Sequence, residues 1–284
     1  MRLRKYLLGG ILAILIVSGA IWYWLLHTES GASFTWTQVE SALAKELGGD
    51  FVRGSFSDGI ELTNLRFSTL AVEISVRSAR AAVDIDLFPV QANISAVHLR
   101  GVVIESKPTE TDANEDLDVG EILAALRLPI RVDLIGARVD EIEISANAGE
   151  TFKIDRLDAS AFWHNSIVVR QLQASAADNK AGVQGNIRLF PPQTVSLSAD
   201  VLYDDIALRG RIVGDQDSAQ LIDLVVNGDD IEARGTALLN WAEEISAEAS
   251  VQIERLDPAA YTDAWPESHL VTGILNVAIN EEQI

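Results

Sequence analysis

The chain has 284 residues, 48% of them apolar, enough for one large or two ordinary domains with a substantial core. It contains no cysteine, which excludes a disulfide framework, a thiolate nucleophile and a zinc–thiolate site. A net charge of −20 argues against a nucleic-acid partner, whose phosphates select a basic surface.

The first element is apolar. Arg2, Arg4 and Lys5 precede an uncharged run from Tyr6 to Leu26. At ~1.5 Å per residue a helix of that length crosses a ~30 Å hydrocarbon core. Its apolar side chains are Leu7, Leu8, Ile11, Leu12, Ile14, Leu15, Ile16, Val17, Ile21, Trp22, Trp24, Leu25 and Leu26. Trp22, Tyr23 and Trp24 stand at the far end, where aromatic rings favour the headgroup zone. The basic flank keeps the N-terminus cytoplasmic, which sends everything after His27 across the membrane. A cleaved signal peptide is the rival reading, but its apolar core would be shorter and no convincing small-x-small site precedes the aromatic trio. Residues 1–28 are therefore expected to be an uncleaved anchor. Without its three basic residues, 19 Lys and Arg remain against 42 Asp and Glu, a net −23 for the exported part. That acidity disfavours adsorption on anionic lipid and fits a solubilising surface.

Residues 29–49 read as a linker and a short amphipathic helix. Thr35 with Gln38 resembles a capping box, and Trp36, Val39, Leu43 and Leu47 recur at helical spacing, predicting a helix over 35–47. Gly48-Gly49 is its expected stop. The stretch GSFSDGIELTNLRF (54–67) then reads as a turn feeding a strand, with Ile60 and Leu62 followed, after a slip at Thr63-Asn64, by Leu65 and Phe67.

From residue 50 to 284 the dominant signal has period two. The runs begin with Val72, Ile74, Val76, then Val83, Ile85, Leu87, then Val97, Leu99, Gly101, Val103. Val183, Gly185, Ile187, Leu189 and Val195, Leu197, Ala199, Val201 follow, then Ile206, Leu208, Gly210, Ile212 and Ile222, Leu224, Val226. The last are Ile231 to Trp241 and Ile245, Ala247, Ala249, Val251, Ile253. Polar residues fill the alternate positions, the pattern of half-buried strands. Phe190-Pro191-Pro192, Gly214-Asp215 and Asn227-Gly228-Asp229 separate runs. Helices are expected at 115–127, stopped by Pro129, and from Asp257-Pro258.

A sheet with one apolar face must cover that face. Two packed sheets would do so, and so would one sheet curled around an apolar ligand. The many Ala and Gly at apolar positions suit either arrangement.

No catalytic constellation emerges. Asp112, Asn114 and Asp116 have calcium-loop spacing, but Leu117 and Leu123 stand where the loop needs glycine and glutamate. His27, His98, His164 and His269 lack ligand spacing, and His98 points outward from its strand. The pairs Asp84/Asp86 and Glu141/Glu143 read as solvated face charges, because nothing nearby desolvates them. No nucleophile elbow or phosphate-binding loop is present. The chain is expected to be no enzyme and to need no cofactor or metal.

The order of motifs is more telling than any one of them. An anchor, a short helix, then G-S-F-x-x-G-I-x-L-x-x-L at Gly54 to Leu65 resembles the TamB/AsmA-like family of Gram-negative envelope proteins. VEISVRSARAAVDIDLFPVQANISAVHLRGVVIE (72–105) is similar to the family's paired strands. Leu256-Asp257-Pro258, Trp265-Pro266 and Leu270-x-x-Gly273 resemble its Leu-Asp-Pro…Trp-Pro-Gly-x-Leu element, although Glu267 stands where the family has glycine. The resemblance implies a mostly β protein with an N-terminal transmembrane helix, an elongated, curled, groove-like sheet and a few short helices. It implies a single-pass inner-membrane protein, cytoplasmic at its N-terminus and otherwise periplasmic, carrying phospholipid toward the outer membrane. It implies a TamA-like outer-membrane barrel as partner, reached through a C-terminal region of a longer protein. The lipid-lining positions are then Ile60, Leu62, Leu65, Phe67, Val72, Ile74, Val76, Val83, Ile85, Leu87, Val97, Leu99, Val103, Ile187, Leu189, Val195, Leu197, Val201, Leu208, Leu224, Val226, Leu239, Ile245, Val251 and Ile253. The alternative is a scaffold that assists autotransporters and other outer-membrane proteins by strand pairing.

Overall fold

The computed structural model describes residues 17–44, 46–69, 72–87, 90–107, 123, 126–145, 151–241, 246–262 and 270–280. Residues 17–27 are helical. Thr28 interrupts the run with an extended backbone and caps α1 (Glu29–Ala42), its hydroxyl accepting from the Gly31 N–H. The cap is therefore Thr28 and not Thr35, whose hydroxyl instead donates back to the Gly31 carbonyl. The helix also ends sooner than expected. Gly48 and Gly49 belong to the first strand, because the Trp36 indole donates to the Gly49 carbonyl and holds the helix against it.

Among the described residues no helix is long and apolar enough to cross a membrane. Leu7, Leu8, Ile11, Leu12, Ile14, Leu15 and Ile16 lie outside them, as do most of the helix expected at 115–127 and Asp112, Asn114 and Asp116. The helix expected from Asp257 is a single 3-10 turn, Pro258–Ala260, with the Asp257 carboxylate accepting from the Ala259 N–H; residues 263–269 lie outside the description.

The remainder is strand. In chain order these are β1 (Leu47–Ser55), β2 (Gly59–Ser68), β3 (Val72–Leu87), β4 (Val90–Ser106), β5 (Arg131–Ser145), β6 (Thr151–Trp163), β7 (Ser166–Ala176), β8 (Asn179–Arg188), β9 (Thr194–Tyr203), β10 (Ile206–Gly214), β11 (Ser218–Asn227), β12 (Ile231–Asn240), β13 (Ser246–Leu256) and β14 (Val271–Asn280). Each is hydrogen-bonded to its sequence neighbours in one sheet. The described strands thus form one sheet in consecutive order in place of two separate sheets. The chain divides into two units, residues 1–110 with 135–153, and residues 111–134 with 154–284.

In the first unit, α1 packs on β1, and Gly54 and Gly59 close the β1–β2 turn at φ 105° and 110°. Further along, the alternation slips by one residue in four neighbouring strands at the same level. In β2 the inward residues are Ile60 and Leu62, then Leu65; in β3 they are Val76 and Ala79; in β4 they are Leu99 and Val102; in β5 they are Ala137 and Ile142. Asn64, Gly101 and Glu141 occupy the slips with φ of 52°, 65° and 59°. The register pairs Leu65 with Val76 and Val76 with Val102, so the extra residues fall in one row. An inserted residue resets which side the next side chain takes; β3 resets at Arg77 without a left-handed residue, and because β2, β3 and β4 reset in one row, their pairing is undisturbed there. Glu141 binds Arg100 and Arg77 at 2.8 and 3.1 Å, and the Arg100 hydrogen bond first, then both arginine charges, hold its carboxyl below the usual range.

Gly101 is the tightest point of this row. A Cβ there would come within 3.0 Å of the Arg77 side chain at a backbone angle that suits glycine. Gly101→Val is expected to cost about 1–3 kcal/mol, and Gly101→Asn clearly less. Urea unfolding midpoints of the two variants check the order.

In the second unit, hairpins are closed by Ala177-Asp178, Asp204-Asp205, residues 215–217 and residues 228–230. Ala177 and Asp204 take the left-handed conformation such turns require, at φ 50° each. The Asp215 carboxylate accepts from the Asp217 and Ser218 N–H groups at 2.9 and 3.0 Å, which holds it below the usual carboxylate range. Arg170 grips Asp133 through two bonds of 2.7 and 3.0 Å.

Candidate functional site: an apolar sheet face

Directly opposed residues on neighbouring strands share a face. In the second unit this rule assembles the apolar positions into continuous rows. Val201 opposes Leu208, Leu208 opposes Val226, then Ala233, Ile253 and Gly273 follow across β12, β13 and β14. A second row runs Gly185, Leu197, Ile212, Leu221, Ala237, Ala249, Val277. A third holds Ile167, Ile187, Val195, Gly214, Ala219, Leu239, Ala247 and Ile279. Leu224, Gly235, Val251 and Leu275 form another. The polar partners, such as Thr236 with Ser250, sit on the opposite face.

The rows are concave in places. Ile212, Leu221, Ala237, Leu239, Ala249 and Val277 line a hollow of ≈ 320 Å³ on the apolar side. Ala219, Ala237, Ala247 and Ala249 make its floor because their side chains stop short, and leucine and isoleucine make its walls. A hollow of ≈ 510 Å³ is lined by Gln220, Thr236, Glu248, Ser250 and Asn276 from the polar side. Leu239 keeps 44% of its surface exposed, and Val201 37%. Large apolar side chains in a well-formed sheet normally reach burial against a second layer. Here the strands' contacts run to their sheet neighbours, so the face stays open.

The sequence positions fall as follows. Leu197, Leu208, Leu224, Val226, Val195, Ile187, Val251 and Ile253 lie on the apolar face and are half-buried; Val201 and Leu239 are more open. Leu189 departs from this role. It has no accessible surface, being enclosed by protein: its N–H donates to the Asn165 carbonyl, and its carbonyl accepts from Arg127 at 2.8 Å. In the first unit Ile60, Leu62 and Val76 are buried, Leu65, Val72, Ile74, Val83, Ile85, Val97 and Leu99 are half-buried, and Phe67 is exposed. Val103 is misplaced by simple alternation. It opposes Ser75 on the other face, and Val102, buried against Val76, takes its place because Gly101 adds a residue. The same slip at Asp223 (φ 54°) puts Leu221 on the apolar face and Ile222 on the polar one, opposite Arg211. The side chain of Leu87 and residue Ile245 lie outside the described residues.

Several of the polar positions are paired with one another. His98 bonds Asp140 at 2.6 Å on an exposed surface, Asp86 accepts from Asn93, and Glu141 is held by two arginines. Among the described residues no cluster of His, Asp and Glu could hold a metal ion.

A search of curated proteins finds no match to the chain. A family model described as "TamB, N-terminal domain" matches residues 17–181. The match takes in the second half of the apolar N-terminal run, α1, the row of slipped strands and the first rows of the second unit. It spans more than half of the 284 residues, and the chain therefore belongs to the TamB family of Gram-negative envelope proteins.

Proposed function

We propose that this protein is a non-enzymatic conduit for phospholipid, anchored in the inner membrane by the helix that ends at residue 27, with the apolar face of its sheet, curled into a groove, carrying acyl chains through the periplasm. The observation that carries this reading is the continuous set of apolar rows from β8 to β14, left open and hollowed at Ala219, Ala237, Ala247 and Ala249. An acyl chain loses about 0.8 kcal/mol for each CH₂ exposed to water. A face of this kind returns most of that loss at every step, and the movement then needs no catalytic group. Rows without a polar interruption also let a chain slide along the face. The charged residues stay on the other face, where they keep the sheet soluble.

The test is photo-crosslinking. A photoreactive amino acid at Leu221 or Val251 is expected to capture phospholipid in cells, and the same group at Thr236 is expected to capture none. Protein alone at all three positions would sink the proposal.

A second reading is favoured by one observation. β14 pairs with β13 on one side, and its side chains are open on both faces: Ile274 is 70% exposed and Leu275 54%. A strand paired on one side accepts a further strand, from the same chain or from another. A scaffold that pairs with precursors of outer-membrane proteins, including autotransporters, in company with a TamA-like barrel would use it. Crosslinks to precursor strands from β14, without lipid at Leu221, would favour that function.

A further inference from the structure

We propose that the joint between the helix at 17–27 and α1 is a rigid aromatic foot, seated in the headgroup zone of a phospholipid bilayer, that sets the depth at which the sheet begins. This rests on the membrane anchor proposed above.

The joint is stiff. The Thr28 hydroxyl donates to the Trp24 carbonyl at 2.7 Å and accepts from the Gly31 N–H at 3.0 Å. The Trp24 indole donates to the Ser30 hydroxyl at 3.0 Å. Gly31 is buried against the backbone of Trp24 and Leu25, where a Cβ would overlap the Trp24 carbonyl. The two helices thus meet backbone to backbone. The joint is also tied to the sheet: the Ser57 N–H, in the β1–β2 turn, donates to the Leu26 carbonyl at 3.1 Å. Ile60 and Leu62 follow that turn directly.

Its surface is largely aromatic, with Glu29, exposed in the first turn of α1, as the charged side chain of the stretch 17–34. Trp22, Tyr23, Trp24 and Phe34 are 44%, 62%, 38% and 51% exposed, and the Trp24 and Phe34 rings lie 5.8 Å apart. Phe34 is no part of the helix–sheet contact. At ~100° per residue it points about 200° away from Trp36, which faces β1. These rings continue the uncharged run from Tyr6 to Leu26, and no Lys or Arg occurs between Lys5 and Lys45. Amphipathic rings at the end of an apolar run fit the boundary between headgroups and acyl chains. The lack of basic residues fits zwitterionic lipid.

The foot places the first inward residues of the sheet within reach of the bilayer surface and β2 pointing away from it. The chain lacks cysteine, so Phe34→Cys and Arg66→Cys, both at exposed positions, each carry one environment-sensitive fluorophore. Arg66 lies eight residues beyond Asp58 along β2, roughly 26 Å at ~3.3 Å per residue. In nanodiscs of phosphatidylcholine with brominated acyl chains, the label at 34 is expected to be quenched several-fold more than the label at 66. No quenching at 34, or equal quenching at both positions, overturns the proposal. The readout is separate from lipid in the sheet. Quenching at 34 without crosslinks at Leu221 leaves the foot standing and removes the conduit, and the reverse result does the opposite.

Discussion

Leu239→Asp is expected to cut lipid crosslinking from Leu221 by at least about tenfold while the sheet stays folded. The two effects separate because Leu239 is 44% exposed and lies between Ala219 and Ala247 in its row. Its carboxylate can remain hydrated in the empty protein, so the change in folding free energy should stay within about 1 kcal/mol. An acyl chain laid over the row would strip that hydration. Burying an unpaired charge in hydrocarbon costs several kcal/mol, and ~1.4 kcal/mol is already tenfold in occupancy. The same charge introduced at Thr236, on the opposite face, should leave crosslinking unchanged. Crosslink yield is read against far-UV circular dichroism and the urea midpoint. Equal loss from Leu239→Asp and Thr236→Asp would mean that net charge, not an apolar path, governs capture.

Leu189→Ala should do the converse. Leu189 has no accessible surface, and the groups around it are fixed by hydrogen bonds to Asn165 and Arg127. Truncating a buried leucine to alanine removes its transfer free energy and leaves a cavity, typically costing about 2–5 kcal/mol. The nearby strand ends cannot close the gap easily, since Arg127 and the buried Gln193 hold the β8–β9 connection. The urea midpoint should fall sharply, whereas lipid capture per folded molecule at Leu221 should not change. An unaltered midpoint would show that Leu189 is an open lining position after all.

These two leucines are indistinguishable as letters. Both continue an alternating run, Ile187-Leu189 in one case and Ala237-Leu239 in the other. One ends as core and the other as open surface because of residues distant in sequence. Arg127, far from Leu189 in the chain, caps it. Ala219 and Ala247, on the flanking strands, leave Leu239 uncovered.

The stretch GSFSDGIELTNLRF (54–67) shows the same division. Its glycines mark the turn, and its slip at Asn64 is visible as a break in alternation. What the slip means is visible only across strands, where Arg77 and Gly101 join it in one row. Simple alternation therefore misassigned Val103 and passed over Val102, and it chose Ile222 over Leu221. The helix boundary failed for a similar reason. Trp36 faces β1 and its indole bonds Gly49, while Val39 and Leu43 of the same expected face stay exposed, and Gly48 pairs with Arg66 in the sheet, so the glycines serve the strand. A local signal of helix arrest loses to a tertiary hydrogen bond.

By itself the sequence determined the class of this protein: strands with one apolar side, an acidic outer side and an apolar N-terminal run. Those properties follow from residue types at period two, which the backbone of any strand converts into two faces. Only the tertiary structure decided that the strands form one sheet rather than two, which face each residue takes beyond a left-handed slip, and which leucines are covered. Those outcomes depend on register between strands, and register is a relation among distant residues that no single run of letters contains.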